Sequence, residues 1–239
     1  MASEQAWAKR LDSIAELAEA VAEEHAPSGR TEPEQILAAN GITLSFGYYG
    51  YAFDGMLEHL DGRFHVYANL NRLRVRDSGR ARFTLAHELG HYYIDDHRRE
   101  LQSGRTPRHP SVADYQSSNP VEAEADHFAS HLLMPTDRFV KAAKGLPLGS
   151  EAIIALKDRF GTSITSTAIR FTKLDLGPCT LVKWHSDRFG WKWFSNTTFQ
   201  AGYRAVITEQ DNVPPDSATG RALAGEAPPE KGFFQTGTS

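Results

Sequence analysis

A histidine pair in the run His-Glu-Leu-Gly-His at residues 87–91 has the spacing of a helical metal site. Residues four apart in sequence lie one turn apart on the same helix face, so the imidazoles of His87 and His91 can reach one metal ion. Glu88 follows the first histidine. Its carboxylate would face a metal-bound water and take the proton whose loss makes that water a nucleophile. This HExxH pattern therefore predicts a zinc-dependent hydrolase with Glu88 as the catalytic base.

A third ligand must come from elsewhere, because catalytic zinc commonly has three protein ligands and keeps the fourth position for water. His97 has the offset of the extended pattern HExxHxxGxxH, in which a glycine lets the chain turn back sharply after the helix. Here Ile94 occupies the glycine position, and a β-branched residue is strongly disfavoured at positive φ. This departure makes His97 the weaker candidate.

Acidic residues on a later predicted helix, from Pro120 to Met134, provide the stronger candidate. Glu122 and Asp126 are four residues apart and share one helix face. Glu122 can therefore bind the metal while Asp126 accepts the outer N–H of a ligating histidine. Glu124 is the alternative ligand in the same turn. Carboxylates are also favourable near any helix start, and taken alone the cluster is better explained by that electrostatic effect.

The overall composition is that of an ordinary globular protein, with 239 residues, 40% hydrophobic and 23% charged. The formal net charge of −4 argues against a protein that holds nucleic acid by bulk electrostatics. The single cysteine, Cys179, excludes an internal disulfide and favours a cytoplasmic location. No apolar run approaches the roughly 20 residues that span a bilayer, and residues 1–26 do not resemble a signal peptide, so we expect no membrane partner.

Hydrophobic periodicity predicts an α+β fold around the HExxH helix, which is expected over residues 78–94. An amphipathic helix that ends near Pro27 and a short helix within residues 31–40 precede it. Alternating patterns predict a small antiparallel sheet between these helices and the HExxH helix, with strands at Ile42–Phe46, Met56–Leu60 and Phe64–Tyr67.

Two stretches that flank the HExxH helix carry weaker signals. Five arginines between residues 72 and 82 accompany one acid, Asp77, without interleaved aromatics. This composition favours a solvated segment with some carboxylate pairing over a nucleic-acid patch. Residues 98–119 are rich in Ser, Gly, Arg and Pro and have no periodicity, so we expect a loop beside the site.

We expect the domain that contains the HExxH helix to cover residues 1–135, followed by three further segments. Residues 136–176 have the pattern of two helices around a tight turn at Gly161, which resembles a helix-turn-helix. Their modest excess of basic side chains is compatible with DNA, but we favour a structural or partner-docking role. A C-terminal β-hairpin is expected within residues 177–208, and a flexible tail over residues 209–239.

Two motifs taken together resemble the ImmA/IrrE family of metallopeptidases. The first is the segment Arg82–His91, which contains HExxH. The second, Glu-x-x-Ala-Asp-x-Phe-Ala-x-x-Leu-Leu-Met-Pro at residues 122–135, follows in the expected order. A weaker likeness extends over residues 30–195. The resemblance implies a zincin-like metallopeptidase domain with zinc on His87, His91 and Glu122 and with Glu88 as general base.

The resemblance also implies a substrate and a biological role. Such an endopeptidase would cut one specific protein, a helix-turn-helix transcriptional repressor encoded nearby, and so release stress or mobile-element genes. Zinc is the expected metal, with manganese as the alternative in cells. Two other functions stay open: a non-proteolytic DNA-binding regulator with structural zinc, and a component of a toxin–antitoxin module. Glu88 speaks against the former, because a structural zinc needs no carboxylate beside its first ligand.

Residues that orient the ligands or stabilise the transition state are less well defined by sequence. Asp126 is a candidate for orienting a ligand, and His131 for orienting a ligand or stabilising an oxyanion. The side chains of Tyr92, Tyr93 and Tyr115 are further candidate donors to the transition state. Their sequence positions do not rank them.

Overall fold

The computed structural model describes residues 2–104, 108–111, 119–185 and 188–202, and a few residues between 213 and 225. The chain forms two compact units, Met1–Leu174 and Asp175–Ser239. The predicted α+β fold is confirmed in the described residues. The flexible tail predicted at residues 209–239 falls largely outside them, and the segment boundaries proposed from sequence stay predictions.

The first unit contains nine helices and four strands among its described residues. The helices are α1 (Ala2–His25), α2 (Pro33–Ala39), α3 (Leu70–Leu73), α4 (Gly79–Tyr93), α5 (Asp95–Gln102), α6 (Pro120–Leu133), α7 (Thr136–Ala143), α8 (Ser150–Phe160) and α9 (Ile164–Lys173). The strands are β1 (Thr43–Gly47), β2 (Gly55–Leu60), β3 (Arg63–Asn69) and β4 (Arg108–Ser111). None of the helices described here or in the second unit has the length and apolar character needed to cross a bilayer.

The four strands form one sheet in the order β1-β3-β2-β4. Strands β2 and β3 form a hairpin around Asp61 and Gly62, which both have positive φ, as a tight two-residue turn requires. β1 pairs with β3 in parallel, so the sheet is mixed, and the purely antiparallel sheet expected from sequence is wrong on this point. Alternation shows which face a strand buries, but it contains no information on the direction of its neighbour.

The loop expected over residues 98–119 is also corrected in part. Helix α5 occupies Asp95–Gln102, with Asp95 and Asp96 in its first turn, where carboxylates favour the positive helix end. Strand β4 adds Arg108–Ser111 to the edge of β2. Four residues that include Pro110 are too few to show an alternating pattern, which explains why the sequence does not reveal this strand.

Helix α4 is buried along most of its length, from Ala81 to His91. The side chain of Ser78 caps it by accepting the Ala81 N–H at 3.1 Å. The buried guanidinium of Arg82 anchors its first turn: it donates to Glu32, to the Thr31 carbonyl and, at 2.9 Å, to the Gly161 carbonyl. The helix that carries HExxH is therefore fixed to both α2 and the α8–α9 turn.

The two-helix arrangement predicted around Gly161 is present as α8 and α9. Gly161 ends α8 in the left-handed conformation with φ of 64°, and Ser163 caps α9 through the Ser166 N–H. Residues 166–172 of α9 are all buried, and Arg170 points inward to donate to the Met134 carbonyl at 3.2 Å. Helix α9 therefore packs inside the first unit and does not present a free recognition face.

The second unit contains an antiparallel hairpin and a short helix among its described residues. The hairpin consists of β5 (Thr180–His185) and β6 (Arg188–Phe194), as the sequence predicts, and residues 186 and 187 lie outside the described residues. Helix α10 (Asn196–Gln200) follows, and the carboxylate of Asp175 accepts the Thr197 N–H at 2.8 Å.

The contact between α4 and the α8–α9 turn generates a stability prediction. A Cβ atom on Gly79 would lie 2.4 Å from the backbone nitrogen of Ser163, and this backbone cannot rotate away. We expect Gly79→Ala to lower the free energy of unfolding by about 1–3 kcal/mol, measured by urea denaturation. Gly29 has open space around its Cα, so Gly29→Ala is the control and should change stability by less than about 0.5 kcal/mol. Equal stability of the two variants would contradict this packing.

Candidate metal centre

Three side chains from two helices of the first unit converge on one point. α4 contributes His87 and His91, each only 1% exposed, and α6 contributes Glu122 from its first turn. The Nε2 atoms of the two histidines are 3.0 Å apart. The Glu122 carboxylate places Oε2 3.4 Å from Nε2 of His87 and Oε1 3.4 Å from Nε2 of His91. The ligand atoms of all three lie within 4.8 Å of one another.

This triangle has the chemistry and the spacing of a metal site. Two ligands at zinc-like distances of about 2.0–2.1 Å from a tetrahedral ion are about 3.3 Å apart, close to the separations between Glu122 and the two imidazoles. Two neutral imidazoles and a carboxylate are also the donor set typical of a catalytic zinc with an open position. The residues present therefore fit the metal that the sequence predicts.

Glu88 lies beside this triangle and is fully buried. Neither of its carboxylate oxygens has a hydrogen-bond partner among the described residues. Burial raises the pKa of Glu88 to about 7. A buried carboxylate without donors is costly, so its presence points to a role in binding or chemistry rather than in packing.

Strand β2 covers Glu88 directly. A Cβ atom on Gly55 would lie 2.6 Å from Oε1 of Glu88 and 2.5 Å from Cγ2 of Thr84. Only glycine lets the strand backbone approach α4 this closely. The sheet thus shields the carboxylate from bulk solvent, and this burial raises the pKa of Glu88 by more than the Ser111 hydroxyl on β4 lowers it.

The outer nitrogen of His87 meets Asp126, one turn after Glu122 on α6. Nδ1 of His87 lies 2.8 Å from Oδ1 of Asp126. Burial opposes the charged form of His87, but the hydrogen bonds to Asp126 and Glu122 raise its pKa to about 10. The structure therefore brings Asp126 to the position that its helical spacing predicts.

The outer nitrogen of His91 has a different partner. Nδ1 of His91 lies 3.1 Å from Nδ1 of His97, and Nε2 of His97 lies 3.1 Å from Oε2 of Glu124. His97 and Glu124, the weaker candidates for the third ligand, therefore lie on the Nδ1 side of His91 and are not part of the group of three. Ile94 has φ of −74°, so the chain makes no glycine-type turn there.

His109 on β4 is a site residue that sequence reasoning missed. Its Nε2 is within hydrogen-bond distance of Oε1 of Glu122, and its ring centroid is 4.1 Å from that of His91. Its position depends on the pairing of β4 with β2, where His109 lies opposite Leu57. Only its residue type could have drawn attention to it, because neither spacing nor periodicity links it to HExxH.

Several predicted supporting residues lie elsewhere. His131 belongs to another cluster, with Nδ1 2.7 Å from Oε1 of Glu19 and Nε2 2.9 Å from Nη1 of Arg170. Burial and the Arg170 guanidinium lower the pKa of His131 to about 4. This neutral histidine connects α1, α6 and α9, and its described contacts do not include the metal ligands.

The tyrosine candidates are not supported by contacts at the site. Tyr92 packs edge-on against Phe64, with ring centroids 5.1 Å apart, and lies under the guanidinium of Arg98. The hydroxyl of Tyr93 accepts a hydrogen bond from the Asn40 side chain at 2.7 Å. Tyr115 lies outside the described residues.

Comparisons with known proteins agree with this arrangement of motifs. A solved Mycobacterium tuberculosis transcriptional regulator has a TM-score of 0.57 to this chain at 16% sequence identity, which shows a shared fold. The match covers 89% of this chain and 63% of that regulator, so this chain spans less than two thirds of its length. A search of curated proteins gives no match.

A protein-family model gives the more specific result. The Peptidase_M78 model, described as the IrrE N-terminal-like domain, matches residues 61–172. This range contains the HExxH helix and the whole of α6, and therefore all three grouped ligands. Residues 61–172 of this chain are therefore similar to the IrrE N-terminal-like domain of the Peptidase_M78 family.

Proposed function

We propose that this protein is a zinc-dependent endopeptidase that cleaves one specific protein, a helix-turn-helix transcriptional repressor encoded nearby. The observation that supports it best is the buried Glu88 carboxylate, which lacks a described partner and lies beside the triangle of His87, His91 and Glu122. The match to a peptidase family supports a protein substrate. The repressor and the release of stress or mobile-element genes rest on the family resemblance.

The three ligands, Glu88 and Asp126 each have a defined task in peptide hydrolysis. A zinc ion held by the three ligands would polarise the scissile carbonyl and acidify a water molecule. Glu88 takes a proton from the attacking water as the new C–O bond forms at the carbonyl carbon. It then passes that proton to the amine nitrogen as the C–N bond breaks. Asp126 keeps His87 oriented by accepting its Nδ1–H.

A cavity beside the ligands provides room for substrate. It has a volume of about 280 Å³ and is lined by His91, His109, Leu101, Val121 and other residues of α5 and α6. Its walls combine imidazole faces and aliphatic side chains with the carboxylates of Asp96 and Glu100, a surface suited to a side chain with an apolar stem and a polar or basic end. We propose that this cavity receives one such side chain of the protein substrate.

The principal alternative is a DNA-binding regulator in which zinc is only structural. The shared fold with a protein described as a transcriptional regulator favours it. Two features oppose it: residues 166–172 of α9 are buried, and a structural zinc would not require the unpartnered carboxylate of Glu88. Salt-dependent binding to an operator would support this alternative. No feature of the described residues favours a toxin–antitoxin role.

Glu88→Gln tests the assignment of the base. We expect the variant to bind zinc but to cleave the purified repressor of the neighbouring gene about 10²–10⁴-fold more slowly, measured by mass spectrometry of the products. Glu151→Gln on the exposed start of α8 is the control and should retain activity. Undiminished cleavage by pure Glu88→Gln would refute the role of Glu88.

Metal dependence provides an independent test. Zinc should raise the Tm of metal-free protein, because a ligand that binds only the folded state stabilises it by about 2.7 kcal/mol at 100 times its Kd. Glu122→Ala should lose most of this increase, whereas Glu34→Ala on α2 should retain it. Manganese should stabilise less than zinc at equal concentration, because the ligands include two imidazoles. An identical zinc response of the Glu122→Ala variant and the parent, measured by scanning calorimetry, would exclude Glu122 as a ligand.

A further inference from the structure

We propose that Arg10, Glu124 and His97 form a hydrogen-bonded chain that holds His91 in the tautomer and orientation needed to bind metal. We call these three residues the support chain. The proposal rests on the metal site of the proposed function, and it extends the site to helix α1. His97 is in this role a positioning residue, because it acts on the metal through His91.

The support chain is continuous and largely buried. Nδ1 of His91 meets Nδ1 of His97 at 3.1 Å, and Nε2 of His97 meets Oε2 of Glu124 at 3.1 Å. Arg10 then binds both carboxylate oxygens of Glu124, with Nε 3.1 Å from Oε1 and Nη2 2.9 Å from Oε2. His97 and Glu124 are each 8% exposed, so water does not compete strongly with these contacts.

Metal binding determines the direction of every hydrogen bond in the support chain. Nε2 of His91 faces the other two ligands, and an imidazole nitrogen that binds metal carries no proton. The proton of His91 is therefore on Nδ1, which donates to Nδ1 of His97. His97 must then carry its own proton on Nε2, which donates to the carboxylate of Glu124. Arg10 supplies donors to that carboxylate, so each donor has an acceptor.

The two histidine ligands are therefore supported in different ways. His87 donates directly to the carboxylate of Asp126, whereas His91 reaches the carboxylate of Glu124 through the ring of His97. The intervening ring requires a defined orientation of both imidazoles, because only one nitrogen of each can serve as donor. Loss of His97 would leave the Nδ1–H of His91 without an acceptor in a buried site, which is costly.

The support chain also gives α1 a role in the metal site. Arg10 lies on α1, outside residues 61–172 that match the family model. The same guanidinium is 3.2 Å from Oδ2 of Asp96 on α5, so it joins α1 to both α5 and α6 behind His91. We infer no chemistry for α1 itself, only the orientation of Glu124.

Zinc affinity of the purified full-length chain tests the proposal without measuring peptidase activity. Competition with a zinc-binding fluorescent chelator gives the Kd for zinc. We expect His97→Leu to weaken binding by about 10- to 100-fold, the usual effect of removing an outer partner of a metal ligand. His97→Gln keeps one acceptor and one donor, so it should recover much of this loss. His59→Leu removes a half-buried histidine that packs on Phe64 and should leave the Kd unchanged.

An Arg10 variant tests the support chain independently if His97→Leu does not fold. The Arg10 side chain is 38% exposed, so Arg10→Gln should fold and should weaken zinc binding less than His97→Leu. Lys9→Gln removes a neighbouring exposed charge from α1 and should have no effect. In nitrogen-15 NMR of the zinc-bound protein, we expect His91 protonated at Nδ1 and His97 at Nε2.

The outcomes separate this proposal from the proposed function. Zinc binding that is unaltered in both His97→Leu and Arg10→Gln would overturn the support chain and leave the peptidase proposal intact. An equal loss in His97→Gln and His97→Leu would also overturn it, because only the volume of the ring would then matter. A parent protein that does not bind zinc at all would overturn both proposals.

Discussion

Helices α4 and α6 meet at Gly90, where a Cβ atom would lie only 3.1 Å from Cα of Ala125. This close backbone contact determines the geometry of the candidate metal centre, because one helix carries both histidines and the other carries Glu122. A larger residue at position 90 would separate the helices and lengthen the distance between the imidazoles and the carboxylate. The same contact brings Asp126 to the outer nitrogen of His87. Ligand spacing and ligand orientation thus follow from one packing constraint.

Some polar groups of the site have hydrogen-bond partners among the described residues, and Glu88 does not. We interpret the partnered groups as positioned ligands and the unpartnered one as the proposed base. The three ligands each have an outer partner: Asp126, His97 or His109. Glu88 has none among the described residues, although it is fully buried under the backbone of β2. Partners hold the ligands still, whereas a proton carrier needs free oxygens. A carboxylate in this position is costly to stability, which is consistent with the role of base that we propose for Glu88.

The sequence predicts the position of a side chain where that position depends only on spacing within one helix. The four-residue spacings of the two histidines and of Glu122 and Asp126 are visible in the chain, and helix geometry converts them into shared faces. Prediction from sequence fails where position depends on a distant neighbour. His109 reaches Glu122 only because a short strand pairs with β2, and β1 runs parallel to β3 although its alternating pattern is independent of direction. The offset of His97 from His87 makes it a candidate ligand, but α5 places its ring against the outer nitrogen of His91.

The contacts of the segment that resembles a helix-turn-helix indicate a structural role. In its turn, the carbonyl of Gly161 accepts a hydrogen bond from the Arg82 guanidinium. The turn also contacts the start of α4 so closely that residue 79 must be glycine. A recognition helix requires an exposed face to enter the major groove, but residues 166–172 of α9 are buried within the first unit. The α8–α9 segment therefore resembles a helix-turn-helix in its backbone only. Its contacts with Arg82 and Gly79 fix the first turn of the helix that carries His87 and His91.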